Sequence, residues 1–174
     1  MSIDDPKTIF QTSLTQVATA TQGDLEQAGT IRHGHDGKIY RWVYNTIGSA
    51  TVVGSVVCHD GATDTTTMYN NIEENFTNGL MFMAGVCISV IPIAGYGWIQ
   101  IDGTNPTINN LGRVATAIAV GDSMIPVNSE AYCAFGAAVG AAPIYTKSII
   151  ILETVATATT PVAATVAGLI KCFT

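Results

Sequence analysis

An all-β fold, a small β-barrel or β-sandwich with an N-terminal arm and at most one or two short helices, is predicted by three features of this sequence. Short runs rich in Val, Ile, Thr and aromatic residues recur along the chain, bounded by Gly, Pro, Asn and Asp. Some of these runs alternate with a period of two, the residue spacing of a pleated strand. Others, such as residues 86–91, are too short to hold a helix by themselves and carry the β-branched side chains that suit a sheet.

The chain divides into an arm, residues 1–22, and a single β-rich domain, residues 23–174, long enough to bury one sizeable core. In the arm, Asp5 followed by Pro6 can cap a short helix with Ile9, Phe10, Leu14 and Val17 on its apolar side. An extended arm lying on a partner is the competing reading of the same Thr- and Gln-rich residues. From residue 23 the pattern changes. His35-Asp36-Gly37 is a turn signal ahead of a strand over residues 38–45. There Ile39, Arg41, Val43 and Asn45 alternate with Tyr40, Trp42 and Tyr44, so one face is aromatic and the other mixed. Gly48-Ser49 makes a turn, and residues 51–58 form the next strand with Gly54 as a bulge. His59-Asp60-Gly61 turns the chain again. Asp64 can then cap a short helix using Met68, Tyr69, Ile72 and Phe76, while Asn70, Asn71, Asn75 and Asn78 favour a long loop instead.

Residues 84–103 organise what surrounds them. Two apolar runs, 86–91 and 98–101, read as a hairpin joined through Pro92-Ile-Ala-Gly95-Tyr-Gly97, and Pro92 ends the first because it has no N–H for a ladder. Trp98 and Gln100 share one face of the second run, Ile99 and Ile101 the other. Asp102-Gly103 reads as the closing turn, and Thr104-Asn105-Pro106 as another. Short strands follow around 107–111 and 114–120, then a turn at Gly121-Asp122, an extended piece at 124–127, and strands over 132–139 and 145–153. The Ala/Thr/Val-rich residues 154–166, with Pro161 inside, have strand propensity but weak register, which suits a loop or an intersubunit edge. Residues 168–173 close the fold, and no internal repeat is legible.

Composition narrows the function. Hydrophobic residues make up 48% and charged residues only 11%, against about 25% charged in an ordinary domain. The net charge is −6 and Lys plus Arg number seven, so a basic nucleic-acid surface is not expected. Mean hydropathy is +0.35, yet no apolar run approaches the roughly 20 residues of a membrane helix. Residues 1–7 carry neither a basic region nor an apolar core of a signal peptide. So few charges on so apolar a scaffold predict that other subunits cover much of the surface. Cys58, Cys87, Cys133 and Cys172 lie far apart in apolar or small-residue settings and read as buried thiols.

No catalytic set emerges. His33, His35 and Asp36 are the best metal candidates, but no further ligand beyond the distant His59 and Asp60 has a telling spacing. Cys58 and His59 are neighbours on a strand and project to opposite faces, so they cannot meet as nucleophile and base. Glu73-Glu74 sit on one short element and cannot flank a substrate. The chain reads as a non-enzyme with neither cofactor nor metal.

Two segments carry a family resemblance. One is residues 29–54, where Asp36-Gly37 leads into Lys38-Ile-Tyr-Arg-Trp-Val-Tyr44 and a Gly-terminated strand. The other is residues 84–103 with Tyr96-Gly97-Trp98-Ile99-Gln100 at its centre, followed by Gly121-Asp122 and a small-residue strand at 134–139. In this order they resemble capsid decoration (cement) and related head structural proteins of tailed bacteriophages, over about half of the chain. The resemblance implies a β-rich protein on the outer surface of an icosahedral head, commonly a homotrimer, whose partner is the major capsid protein rather than nucleic acid or membrane. It implies that the arm makes lattice contact, with Ile9, Phe10 and Leu14 as candidates, and that Tyr40, Trp42, Tyr96 and Trp98 anchor either the fold or an interface. Rival readings are another virion component, such as a coat, spike or fibre subunit that binds a receptor, and a metal-dependent hydrolase built on His33, His35 and Asp36.

Overall fold

The computed structural model describes residues 10–60, 71–73, 83–111, 120–121, 123–126, 133–135, 149–152 and 163–172. The described residues are all-β, without a helix. The strands are β1 (Val17–Ala18), β2 (Ile31–His33), β3 (Ile39–Asn45), β4 (Val56–His59), β5 (Asn71–Glu73), β6 (Met83–Cys87), β7 (Tyr96–Leu111), β8 (Ser123–Pro126), β9 (Cys133–Phe135), β10 (Ile149–Ile151) and β11 (Ala163–Lys171). They belong to one eleven-stranded sheet that closes on itself, though not as a single clean barrel.

The closure has a simple form. One ring runs β3–β7–β6–β4–β5 and returns to β3; the other runs β7–β11–β10–β8–β9 and returns to β7. Each ring has four antiparallel pairings and one parallel pairing, β5 with β3 in the first and β9 with β7 in the second. Matching β3 to β7, β4 to β8, β5 to β9, β6 to β10 and β7 to β11 superposes every pairing of one ring on a pairing of the other. The pairing scheme therefore repeats where the sequence shows no repeat. Alternation and turn chemistry specify a strand, and very different side chains satisfy both.

Both rings depend on β7, whose first half pairs with β3 and β6 and whose second half pairs with β11. The sequence reading placed a turn at Asp102-Gly103 and another at residues 104–106; the strand instead continues through both. Gly103 has φ +95°, which lets β7 change direction without leaving the ladder. Gln100 locks the bend: its amide donates to the Asp102 and Thr104 carbonyls at 3.0 and 3.1 Å and accepts from Asn105 Nδ2 at 3.0 Å. Pro106 is tolerated because the β7–β11 register shifts there, between Val166 and Gly168, so its missing N–H costs no ladder bond.

The hairpin of β6 and β7 is present, with Val86 opposite Gln100 and Cys87 opposite Ile99, but its first strand is Met83–Cys87 rather than residues 86–91, of which 88–91 belong to the connection. Three other local expectations change. The strand expected over residues 51–58 starts only at Val56, because residues 52–55 form a turn closed by Ser55 N–H to the Val52 carbonyl at 3.0 Å. Ile72, assigned above to a helix or long loop, is a buried residue of β5, wedged between β3 and β4; residues 61–70 and 74–82 lie outside the described residues. Residues 163–166, read as loop or subunit edge, pair with residues 108–111 of β7.

Alternation on β3 and β7 sorts side chains into two cores. Val43, Ile99 and Ile101 join Val56, Val57, Ile72 and Val86 of the first ring and Ile108, Ile149 and Ile170 of the second in one continuous interior cluster. Tyr40, Trp42 and Trp98 point the other way, with Ala18 and the partly buried Phe10, Leu14, Leu25, Ile88 and Tyr96. One apolar cluster thus spans both rings, and a second lies on the outer face of β3 and β7.

Candidate functional site

Six of the seven residues singled out for partner contact come together on the outer face of β3 and β7; the seventh, Ile9, lies outside the described residues. Register brings them there: Trp42 stands directly opposite Trp98 and Tyr44 opposite Tyr96. The two indoles meet edge to face at 5.3 Å, Trp42 stacks with Tyr96 at 6.4 Å, and Phe10 meets Trp98 edge to face at 5.7 Å.

A strap formed by residues 10–28 covers this face. Its polar groups satisfy the two indoles, which would otherwise bury unpaired donors. Trp98 Nε1 donates to Thr12 Oγ1 at 2.9 Å, and Trp42 Nε1 donates to Asp24 Oδ1 at 2.8 Å. Thr12 in turn donates its N–H and its hydroxyl to the Glu26 carboxylate, while its carbonyl accepts from Arg32 at 2.9 Å. The Arg32 guanidinium lies 4.9 Å from the Phe10 ring centre and 6.0 Å from that of Trp98, a cation–π clamp over the strap. Residues 10–18 therefore pack on their own chain: Trp42 and Trp98 are fully buried and Tyr40 nearly so, while Phe10, Leu14 and Tyr96 are half-buried and keep some surface. Thr12, Asp24, Glu26 and Arg32, which hold the strap, carried no recognisable spacing in the sequence.

The opposite face of β3 holds a buried polar group that sequence reading described only as mixed. Arg41, His59 and Asp60 are all buried, and the Arg41 charge acts on both His59 and the buried Cys172, the residue after β11. Burial first, and the nearby Arg41 charge second, push His59 down to about 4, so it is neutral at pH 7. Burial pushes the Cys172 thiol up to about 12, with Arg41 opposing and Asp102 reinforcing the rise. A neutral histidine and a protonated thiol give this cluster no activated nucleophile. On the aromatic face, burial, followed by the charge of Asp36 and its hydrogen bond, raises Tyr40 to about 12.

His33 ends β2 and His35 lies in the following turn, both exposed. Asp36 is committed locally, accepting from Lys38 N–H at 3.2 Å and from the Tyr40 hydroxyl at 3.3 Å. Among the described residues no three His, Cys, Asp or Glu side chains converge as a metal site would need. Cys58 and His59 are adjacent on β4, which runs one residue into the turn expected at 59–61, and no helix among the described residues is long and apolar enough to cross a membrane.

A second surface was not singled out in the sequence. The β3–β4 and β6–β7 connections lie side by side, Thr51 N–H donating to the Ile91 carbonyl at 3.0 Å and Ile91 N–H donating to Thr51 Oγ1 at 2.8 Å. Val52, Val53, Val90 and Ile93 project from them with 56%, 44%, 53% and 57% of their surface exposed. The legible signal was a long stretch without charge on either side of two turns.

Compared with protein families, curated proteins and solved structures, the chain matches none.

Proposed function

We propose that this chain is a virion structural protein of the capsid decoration (cement) kind, binding the outer surface of an assembled icosahedral phage head and bridging neighbouring major capsid subunits. The observation that carries the reading is the meeting of the two segments that resemble such proteins. Residues 39–44 and 96–102, more than fifty positions apart, pair strand to strand with Trp42 opposite Trp98. The resemblance thus lies in residues that build one structural unit.

The chemistry of the surface supports a binding rather than a catalytic role. Charged side chains are few, the net charge is −6, and exposed aliphatic residues cluster on rigid turns. Within this reading Phe10, Leu14 and Tyr96 retain surface for a partner, whereas Tyr40, Trp42 and Trp98 serve the fold. The protein acts by mass action: a chain that binds only the assembled, expanded lattice stabilises that state by its binding free energy, repeated over many copies. It works as a homo-oligomer on the outer capsid surface, without nucleic acid, membrane or cofactor.

The test uses heads assembled without this protein. Added full-length chain should co-sediment with expanded heads to a saturating stoichiometry and raise the temperature at which they release DNA. Absence of co-sedimentation, with unchanged DNA release, overturns the proposal.

A further inference from the structure

We propose that the paired turns bearing Val52, Val53, Val90 and Ile93 are the surface through which one copy of this chain binds a second copy. This deepens the homo-oligomer of the preceding reading and rests on that part of it.

The surface is preorganised. The turn at residues 52–55 is closed by Ser55 N–H to the Val52 carbonyl, and the turn at 92–95 by Gly95 N–H to the Pro92 carbonyl, each at 3.0 Å. Both are fastened to the sheet: Gly54 N–H donates to the Cys87 carbonyl at 2.8 Å, Asn109 N–H to the Gly54 carbonyl at 2.9 Å, and Asn45 N–H to the Gly95 carbonyl at 2.8 Å. Gly54 has φ +83°, and a Cβ there would run into the Thr107 carbonyl and the Asn109 side chain, so the turn fits closely onto β7. Short β-branched side chains on such a frame lose little freedom when a partner covers them.

Charge selects the partner. Residues 46–55 and 88–95 contain no ionisable side chain, in a molecule of net charge −6. Two acidic copies repel one another, and an uncharged apolar surface is where they approach at least cost. A lipid surface is a poorer occupant, since interfacial anchoring draws on Lys and Arg, and none flank these residues inside either connection.

The second ring repeats the device. Val120-Gly121 lies in the β7–β8 connection, the counterpart of β3–β4, with Val120 62% exposed and Gly121 at φ +91°. Gly121 stands two residues before β8, as Gly54 stands two before β4. Leu152, 44% exposed, opens the β10–β11 connection, the counterpart of the one that carries Val90 and Ile93. Among the described residues, each ring therefore carries exposed aliphatic side chains in the same pair of connections. First-ring tip against second-ring tip of the next copy is a head-to-tail contact, the kind that closes into rings when the rotation permits.

The experiment is light scattering and equilibrium sedimentation on the full chain, alongside a Val53→Lys, Ile93→Lys double variant. Wild type should self-associate, more tightly as salt screens the repulsion. The double variant should dissociate with a Kd raised at least about tenfold, and with an unchanged thermal transition, since both side chains are exposed. Should the lysines disturb folding, Val53→Ser with Ile93→Ser is read in the same way. A monomeric wild type overturns the inference, as does association in the double variant equal to wild type. Head co-sedimentation of the same variants separates the two proposals. Variants that dissociate yet still bind heads leave the decoration role standing; variants that keep their oligomer but lose head binding assign the surface to the shell and overturn its assignment to a second copy.

Discussion

His59 gives the clearest linkage between one residue and stability. Its unfolded value is near 6.5 and its folded value about 4, because burial and the Arg41 charge disfavour the imidazolium. Between those values the unfolded chain binds more protons than the folded one, so folding stability falls as pH drops from 6.5 to 4 and is flat above. This group alone accounts for a loss of about 3 kcal/mol, since each tenfold weakening of proton binding is worth about 1.4 kcal/mol. Urea unfolding across that pH window should show the decline, and His59→Gln should flatten it. A wild-type profile level down to pH 4 would refute the assignment. The alternation on β3 was readable from the chain, but not that its mixed face would be dry: Arg41, His59 and Asp60 have the side chains of surface residues, yet all three are buried in the folded chain.

At the scale of the element, the strap is the part whose strength is concentrated in a few polar atoms. Thr12 both accepts from Trp98 Nε1 and donates to Glu26, so Thr12→Val leaves a buried indole N–H without its acceptor. A cost of roughly 1–3 kcal/mol is expected. Limited proteolysis should find residues 10–28 cut faster in that variant, with Trp fluorescence shifted to the red as the face is wetted. Unaltered cleavage would mean that the Phe10, Leu14 and Leu25 contacts suffice to hold the strap. Sequence reading recognised Phe10 and Leu14 as the apolar side of an arm but had no means of naming its target. Apolar spacing says that a segment must bury one side, and tertiary structure says against what.

On the scale of the whole molecule, β7 joins two rings and the interior cluster crosses between them, so the rings should unfold together. Trp42 and Trp98, the chain's two tryptophans, both report on the first ring. Ile170 is fully buried on β11 of the second. Ile170→Ala should cost about 2–5 kcal/mol and lower the fluorescence and circular-dichroism midpoints alike. A fluorescence midpoint that stays in place while the dichroism midpoint falls would show independently unfolding rings.

The fold class, the alternating faces of β3 and of the first half of β7, and the turns at residues 35–37 and 92–95 were legible locally, because period-two alternation and Gly, Pro, Asn and Asp chemistry act over a few residues. Sequence reading misjudged Asp102-Gly103: the same dipeptide that ends a hairpin can also bend a strand, and the choice fell to the Gln100–Asn105 bonds and the pairing with β11. Long-range packing set the two parallel closures, the burial of Arg41 and His59, the docking of the strap, and the meeting of two distant connections in one aliphatic tip. Each of these is a contact between residues far apart in the chain, whose free energy exists only once the intervening strands have paired, so no local pattern records it.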